Sequence, residues 1–221
     1  LREIEREQID ENGFDMARRV TGLADTIVTL AYERSTSKNM SPHALVALGG
    51  FGRREMAPYS DIDLLFLFRT ERDKSPEFIS GVLHPLWDLG FDVGHSSRTL
   101  SEVVKMARED VESCTAMMDG RLLAGDSDLF AEYTQRLFGR LPQSLPTQIN
   151  KWRRARIDNK DSVQLLEPNV KESPGGLRDI QALEWAMKAQ TQQADATSLW
   201  FRYLESGDVE TIQRARAFLW Q

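Results

Sequence analysis

The side chains best suited to chemistry lie between Leu48 and Asp63, in Leu48-Gly-Gly-Phe-Gly-Arg-Arg-Glu-Met-Ala-Pro-Tyr-Ser-Asp-Ile-Asp63. Gly49, Gly50 and Gly52 carry no Cβ and tolerate positive φ, so backbone N–H groups there can close around an anion. Arg53 adds a permanent charge with a forked donor geometry that matches phosphate. Ser60-Asp61-Ile62-Asp63 then opens the apolar run Leu64–Phe68. Side chains alternate across a strand, so Asp61 and Asp63 point the same way, followed by Leu65 and Leu67, with Ile62, Leu64, Phe66 and Phe68 on the other side. Two adjacent carboxylates repel unless a cation lies between them. Mg2+, with Mn2+ as a possible substitute, is the hard, oxygen-preferring ion that keeps coordination positions for substrate phosphate. The competing reading is a glycine turn followed by an acidic strand cap. Glu55 is a third acid nearby, expected in a salt bridge or a backbone hydrogen bond rather than on a metal.

The surrounding elements must hold these groups in one cleft. Ala44–Leu48 reads as a strand before the glycine turn, and Pro58 rules out a helix through residues 54–59. Phe14, Ala17, Val20, Ala24, Ile27 and Ala31 recur at helical spacing and predict an amphipathic helix against the sheet; Ser35–Ser41 is a loop. Pro76 suits a first helical turn, and Ile79 to Leu89 continue that helix to Gly90; His84 within it is given no role. Phe91–Ser97 predicts another strand, and Thr99 with Glu102 a capping box ahead of a helix through Met106. A helix is expected from Val111 to Leu123, and Asp128 is expected to cap the one carrying Leu129, Tyr133 and Leu137. The first domain is taken to end at Gly139, with a proline-bearing hinge over Leu141–Pro146 and a helical second domain over 140–221. Lys151-Trp-Arg-Arg-Ala-Arg156 reads as a solvated helix face, and Val209–Trp220 as a last helix.

Composition narrows the class. The chain has 221 residues with 41% hydrophobic and 28% charged, ordinary for a globular protein. The net charge of −6 argues against a nucleic-acid partner. A single cysteine, Cys114, allows neither an internal disulfide nor a cysteine zinc cluster. No apolar run approaches the length of a membrane span and no signal-peptide pattern appears, so the expected location is the cytoplasm. The chain starts at Leu1 within a charged run and stops at Gln221 on an apolar face still in progress, which reads as a piece of a longer protein.

A glycine turn followed by an aspartate pair on the next strand resembles the DNA polymerase β-like nucleotidyltransferase superfamily. Two further stretches, Val93-Gly-His-Ser-Ser-Arg-Thr99 and Leu165-Leu-Glu-Pro-Asn-Val-Lys-Glu-Ser-Pro-Gly-Gly-Leu-Arg-Asp-Ile-Gln181, make the chain similar to the bacterial uridylyltransferase family that modifies the PII nitrogen-signalling protein. The resemblance implies an α/β (α+β) nucleotidyltransferase domain over residues 1–139, with a small mixed sheet flanked by helices, then a helical domain closing over the nucleotide. It implies UTP as donor and a tyrosine hydroxyl of PII as acceptor. It also implies a two-metal mechanism and a third carboxylate on a strand beside the pair; Asp92 is the only acid available there, to complete the metal site with Asp61 and Asp63 and help activate the attacking hydroxyl, and an ordinary strand-edge role is the alternative. Arg98 becomes a candidate phosphate or metal-site contact, and His95 either a base contact or a buried hydrogen-bonder. Ser60 joins the substrate-binding set. Lys171, Gly175, Gly176 and Arg178 become candidates to close on the triphosphate, with Glu172 and Asp179 orienting them or reaching a metal through water. A protein adenylyltransferase acting on glutamine synthetase, which shares a similar Gly-Gly-(Leu/Ile)-Arg-Asp block, is the nearest rival; a nucleic-acid polymerase and a non-catalytic nucleotide-binding module are the others. The family also implies that the full protein continues into a metal-dependent hydrolase domain and small-molecule-sensing domains.

Overall fold

A computed structural model describes residues 13–37, 40–158, 169–195 and 197–221. Two hydrophobic layers form because β2 (Ile62–Phe68) is apolar on both sides and must be covered twice. It pairs antiparallel with β1 (His43–Ala47) and parallel with β3 (Val93–Thr99), while β1 also pairs antiparallel with β4 (Arg121–Gly125). The result is a four-stranded mixed sheet ordered β3-β2-β1-β4. On one face α1 (Gly13–Ser35) and α3 (Pro76–Asp88) set Val20, Ala24, Val28, Val82 and Leu86 against Leu45, Ile62, Leu64, Phe66 and Phe68. The other face, with Val46, Leu65 and Leu67, is covered by α4 (Leu100–Glu109), α5 (Val111–Met118) and α6 (Ser127–Phe138). The alternation expected for β2 is therefore the alternation observed.

The same core continues past Gly139. Leu141, the Leu145 and Ile149 side chains of α7 (Leu145–Asp158), and Trp185 and Ala189 of α8 (Leu177–Thr191) join the layer containing Leu65 and Leu67. Pro146 sits in the first turn of α7, where its missing N–H costs nothing. Two further helices follow, α9 (Thr197–Tyr203) and α10 (Ser206–Leu219). Among the described residues, no helix is long and apolar enough to cross a membrane.

Local signals were realised in detail where a side chain caps a helix. Ser75 accepts from the Phe78 N–H with Pro76 in the first turn, and Thr99 and Glu102 form the reciprocal capping box. Several expectations need correction. The helix expected over 111–123 ends at Met118 and is followed by the edge strand β4; Leu122 and Leu123 fit both periods, and the strand is short and carries a register shift opposite Leu45/Val46. Asp126, not Asp128, caps α6, by accepting the Leu129 N–H. The third strand begins two residues later than expected, at Val93, which leaves Asp92 just before it. The glycine segment is not an open turn but one helical turn, α2 (Gly49–Gly52). In the basic run of α7, Arg153 is buried, while Lys151 and Arg154 are exposed. Of the stretch 165–181, Leu165 to Pro168 lie outside the described residues, as do Lys38 and Asn39 of the loop and the start of the chain.

Candidate active site

β1 ends at Ala47 and the chain turns at Gly49, whose φ of +53° favours glycine, into the single turn α2. The first N–H groups of a helical turn have no acceptor inside it. Its other end is held: Arg121 donates to the carbonyls of Gly52 (3.1 Å) and Phe51 (3.0 Å) while pairing with Asp25 of α1. Leu48 N–H donates to the Asp63 carbonyl at 3.0 Å, which ties the turn to the start of β2. The N–H cradle and the aspartates thus meet because adjacent strands carry them to one sheet edge.

The parallel register places Ile62 opposite Val93 and Asp63 opposite Gly94. With two-residue alternation, Asp61 and Asp63 share a face, and Asp92 falls beside Asp61 on it. The Asp92 carbonyl accepts the Ile62 N–H at 2.8 Å, which fixes that pairing. A Cβ built on Gly94 would lie 2.5 Å from an Asp63 carboxylate oxygen, so the glycine makes room for the acid. Burial, and then the Asp61 charge, push the Asp63 carboxyl above the usual carboxylate range; Asp92 adds to this and Lys171 opposes it. Such a site has excess negative charge and hard oxygen donors, which fits a divalent cation. Among the described residues no three His, Cys, Asp or Glu side chains are gathered closely enough to hold a metal on their own. The donor set on offer is therefore the Asp61–Asp63 pair, open to ligands from a substrate.

These groups line a cleft of about 610 Å³ between the sheet edge and the C-terminal helices. Gly49, Gly50, Arg53, Ser60, Asp61, Asp63 and Arg98 stand on the sheet side, and Lys171 and Arg178 opposite them. Gly52 and Asp92 are not on that lining: Gly52 packs against the Asp119 carbonyl, and Asp92 is exposed just before β3. Gly175 and Gly176 also stand outside it: Gly175 N–H donates to Asp179 at 2.6 Å, and Gly176 begins α8 as its cap residue. Lys171 makes no side-chain hydrogen bond or ion pair among the described residues. Burial and the nearby Arg178 charge lower its pKa, with Glu172 opposing. Arg98 is likewise without a side-chain partner there. His95 is exposed, with its ring against Trp87 and Phe66, so the buried-hydrogen-bonder alternative is set aside. Glu172 accepts from Arg178 at 3.1 Å, the orienting contact expected of it, whereas Asp179 pairs with Arg153 instead of Lys171 or Arg178.

Arg53 is more constrained than its sequence context suggests. Its Nε donates to Glu55 (2.7 Å) and its Nη1 to Asp119 (2.7 Å), and its guanidinium lies over the Trp185 ring. Glu55 thus takes the salt-bridge role expected of it. Asp119, Gln181, Trp185 and Lys188 were not singled out from the sequence. Gln181 donates to Glu55 at 3.1 Å, and Trp185 and Lys188 donate to Asp119 at 2.8 and 2.9 Å. A signal did exist: Arg178, Gln181, Trp185 and Lys188 follow at steps of three, four and three, so they lie on one face of α8.

A mixed sheet with paired aspartates at its edge beside a glycine turn, backed by helices, is a nucleotidyltransferase-type α+β domain. A family model described as GlnD PII-uridylyltransferase matches residues 143–221. Three similar proteins are each named bifunctional uridylyltransferase/uridylyl-removing enzyme. The one from Novosphingobium aromaticivorans is 37% identical over 89% of this chain and 22% of its own length. Those from Cereibacter sphaeroides and Phenylobacterium zucineum are 36% and 33% identical over 93% and 99% of this chain, and 24% and 25% of their own lengths. The chain belongs to this bacterial uridylyltransferase/uridylyl-removing enzyme family, and it spans about a quarter of the curated relatives it matches.

Proposed function

We propose that this chain is the nucleotidyl-transfer region of an enzyme that moves UMP from UTP to a tyrosine hydroxyl of the PII nitrogen-signalling protein in the cytoplasm. The observation that carries the reading is the shared face of Asp61 and Asp63 beside the α2 turn, with Lys171, unpaired among the described residues, facing them across the cleft. The uridylyl group follows the relatives' name, and the PII acceptor the family's description.

Asp61 and Asp63 would hold Mg2+, or Mn2+ in its place, which when bound supplies charge neutralisation on the triphosphate and acidifies the attacking hydroxyl. The remaining work belongs to the chain's own groups. The free N–H groups of Gly49 and Gly50, the Arg53 Nη2, and Lys171 bind the β- and γ-phosphates and stabilise the charge that builds on departing pyrophosphate. Arg98 adds a further cation on the aspartate face. Asp92 lies beside the pair, where it can orient the tyrosine hydroxyl and take its proton. The chain needs no covalent nucleophile, and burial pushes its only thiol, Cys114, up to about 12. Positioning and charge neutralisation are sufficient for transfer of this kind.

The test is to incubate the intact protein with each labelled nucleoside triphosphate, Mg2+ and purified PII. Label should pass to PII from UTP alone. Transfer of AMP to glutamine synthetase instead would replace this reading with the adenylyltransferase one.

A further inference from the structure

Arg53 has its Nε and Nη1 committed to Glu55 and Asp119, which leaves Nη2 on the side of Gly50. Glu55 is itself divided. Its Oε2 accepts from Arg53 and Gln181, and its Oε1 accepts from Arg216, near the end of α10. The Glu55 side chain is 3% exposed and that of Asp119 1%, so neither carboxylate can turn to water for a missing partner. Arg216 is also held by Glu184 at 3.2 Å, and its guanidinium lies over the Phe14 ring.

This arrangement has a specific consequence for Arg53. An arginine and a carboxylate prefer the two-bond fork, and the side-on fork uses Nε together with Nη2. Glu55 already binds Nε through Oε2, while its Oε1 is held by Arg216. We infer that Arg216 is a positioning residue for nucleotide binding: by occupying Glu55 Oε1 it keeps Arg53 Nη2 free and directed at the phosphate site. The last helix of the described chain therefore acts on the α2 turn through one buried carboxylate, about 160 residues away in sequence. The inference rests on the reading of the cleft as a triphosphate site, and it adds residues that touch no ligand.

The experiment measures binding of UTP and of UMP to the intact protein with Mg2+, for the wild type and four variants. Arg216→Ala should weaken UTP about tenfold, the effect of one charge-assisted hydrogen bond, and leave UMP unchanged because UMP has no β- or γ-phosphate. Arg216→Lys still supplies a donor to Oε1 and should restore most of the UTP affinity. Glu55→Gln alone should weaken UTP and UMP alike, since its amide N–H must face one of the buried donors that the carboxylate accepts from, whereas in the double variant Arg216→Ala/Glu55→Gln that N–H can turn to the vacated Arg216 side, and UTP should bind better than to Arg216→Ala alone. A purely structural role for Arg216 predicts the reverse order for the double variant and equal losses for UTP and UMP; either result overturns the inference. If Arg216→Ala does not fold, Arg216→Lys and the double variant carry the same comparison. Wild-type protein that binds no triphosphate would instead refute the reading of the cleft.

Discussion

Two charged regions lie within one side chain of each other and are built on opposite principles. Around Arg53 every charge has a partner: Glu55, Asp119, Lys188 and Arg216 form a closed, largely dry network with Gln181 and Trp185. Along the cleft, Asp61, Asp63, Arg98 and Lys171 face one another without a single ion pair among the described residues. Burial raises the Asp63 carboxyl and like charges raise it further; burial also works against Asp119, yet Arg53 and Lys188 hold that carboxyl below its ordinary value. The first set holds a shape. The second set is left without ion pairs by the fold, and in the function proposed above a ligand brings the charges that complete it.

The sharpest way to break this contrast is to remove charge from each side. Asp61→Asn with Asp63→Asn should reduce transfer by at least about 10³-fold, roughly 4 kcal/mol of transition-state stabilisation. Calorimetry should show the melting temperature of that variant unchanged or slightly higher, since the lost charges repelled each other. Asp119→Ala should do the opposite to the fold. It strands Arg53 and Lys188 in a buried setting and should cost about 3–5 kcal/mol in denaturant unfolding. A milder change is expected from Lys171→Ala: about a tenfold rise in KM for the nucleotide, with the unfolding midpoint unmoved.

Acid sharpens the comparison at the smallest scale. Asp63 has a folded pKa above its unfolded one, so its carboxylate form is disfavoured in the native state, and stability should fall as pH rises through that window. Asp119 has a folded pKa below its unfolded one, so the stability it contributes is present above the ordinary carboxylate range and is lost as pH falls through its lowered value. Asp92→Asn removes one of the charges acting on Asp63 and should move the acid limb of divalent-ion binding to slightly lower pH, as a titration series would read out.

What could be read from the residues divides along the same line. Asp61, Asp63 and their alternation with Ile62 and Leu64 were legible because a strand's two-residue period is a local property. So were the Ser75 and Thr99 caps, which depend on neighbours three positions away. The face of Asp92 was not, because it depends on the register between β2 and β3, a pairing no local pattern encodes. β4 was hidden because Leu122 and Leu123 also continue the helical spacing of Met118, and only the edge of β1 decides between the two. The closed network was least legible of all: Arg53 meets Asp119 across 66 positions and Glu55 meets Arg216 across 161. Open charges announce themselves by type and spacing, whereas satisfied ones are visible only after folding brings their partners together.

The most direct measurement is calorimetric titration of the intact protein with a non-hydrolysable UTP analogue, with and without Mg2+, in wild type and in Asp61→Asn/Asp63→Asn. The account predicts tight binding in the wild type only when Mg2+ is present, and loss of that metal dependence in the double variant. Binding that ignores Mg2+ in the wild type, or keeps its full metal dependence without the two aspartates, would contradict it.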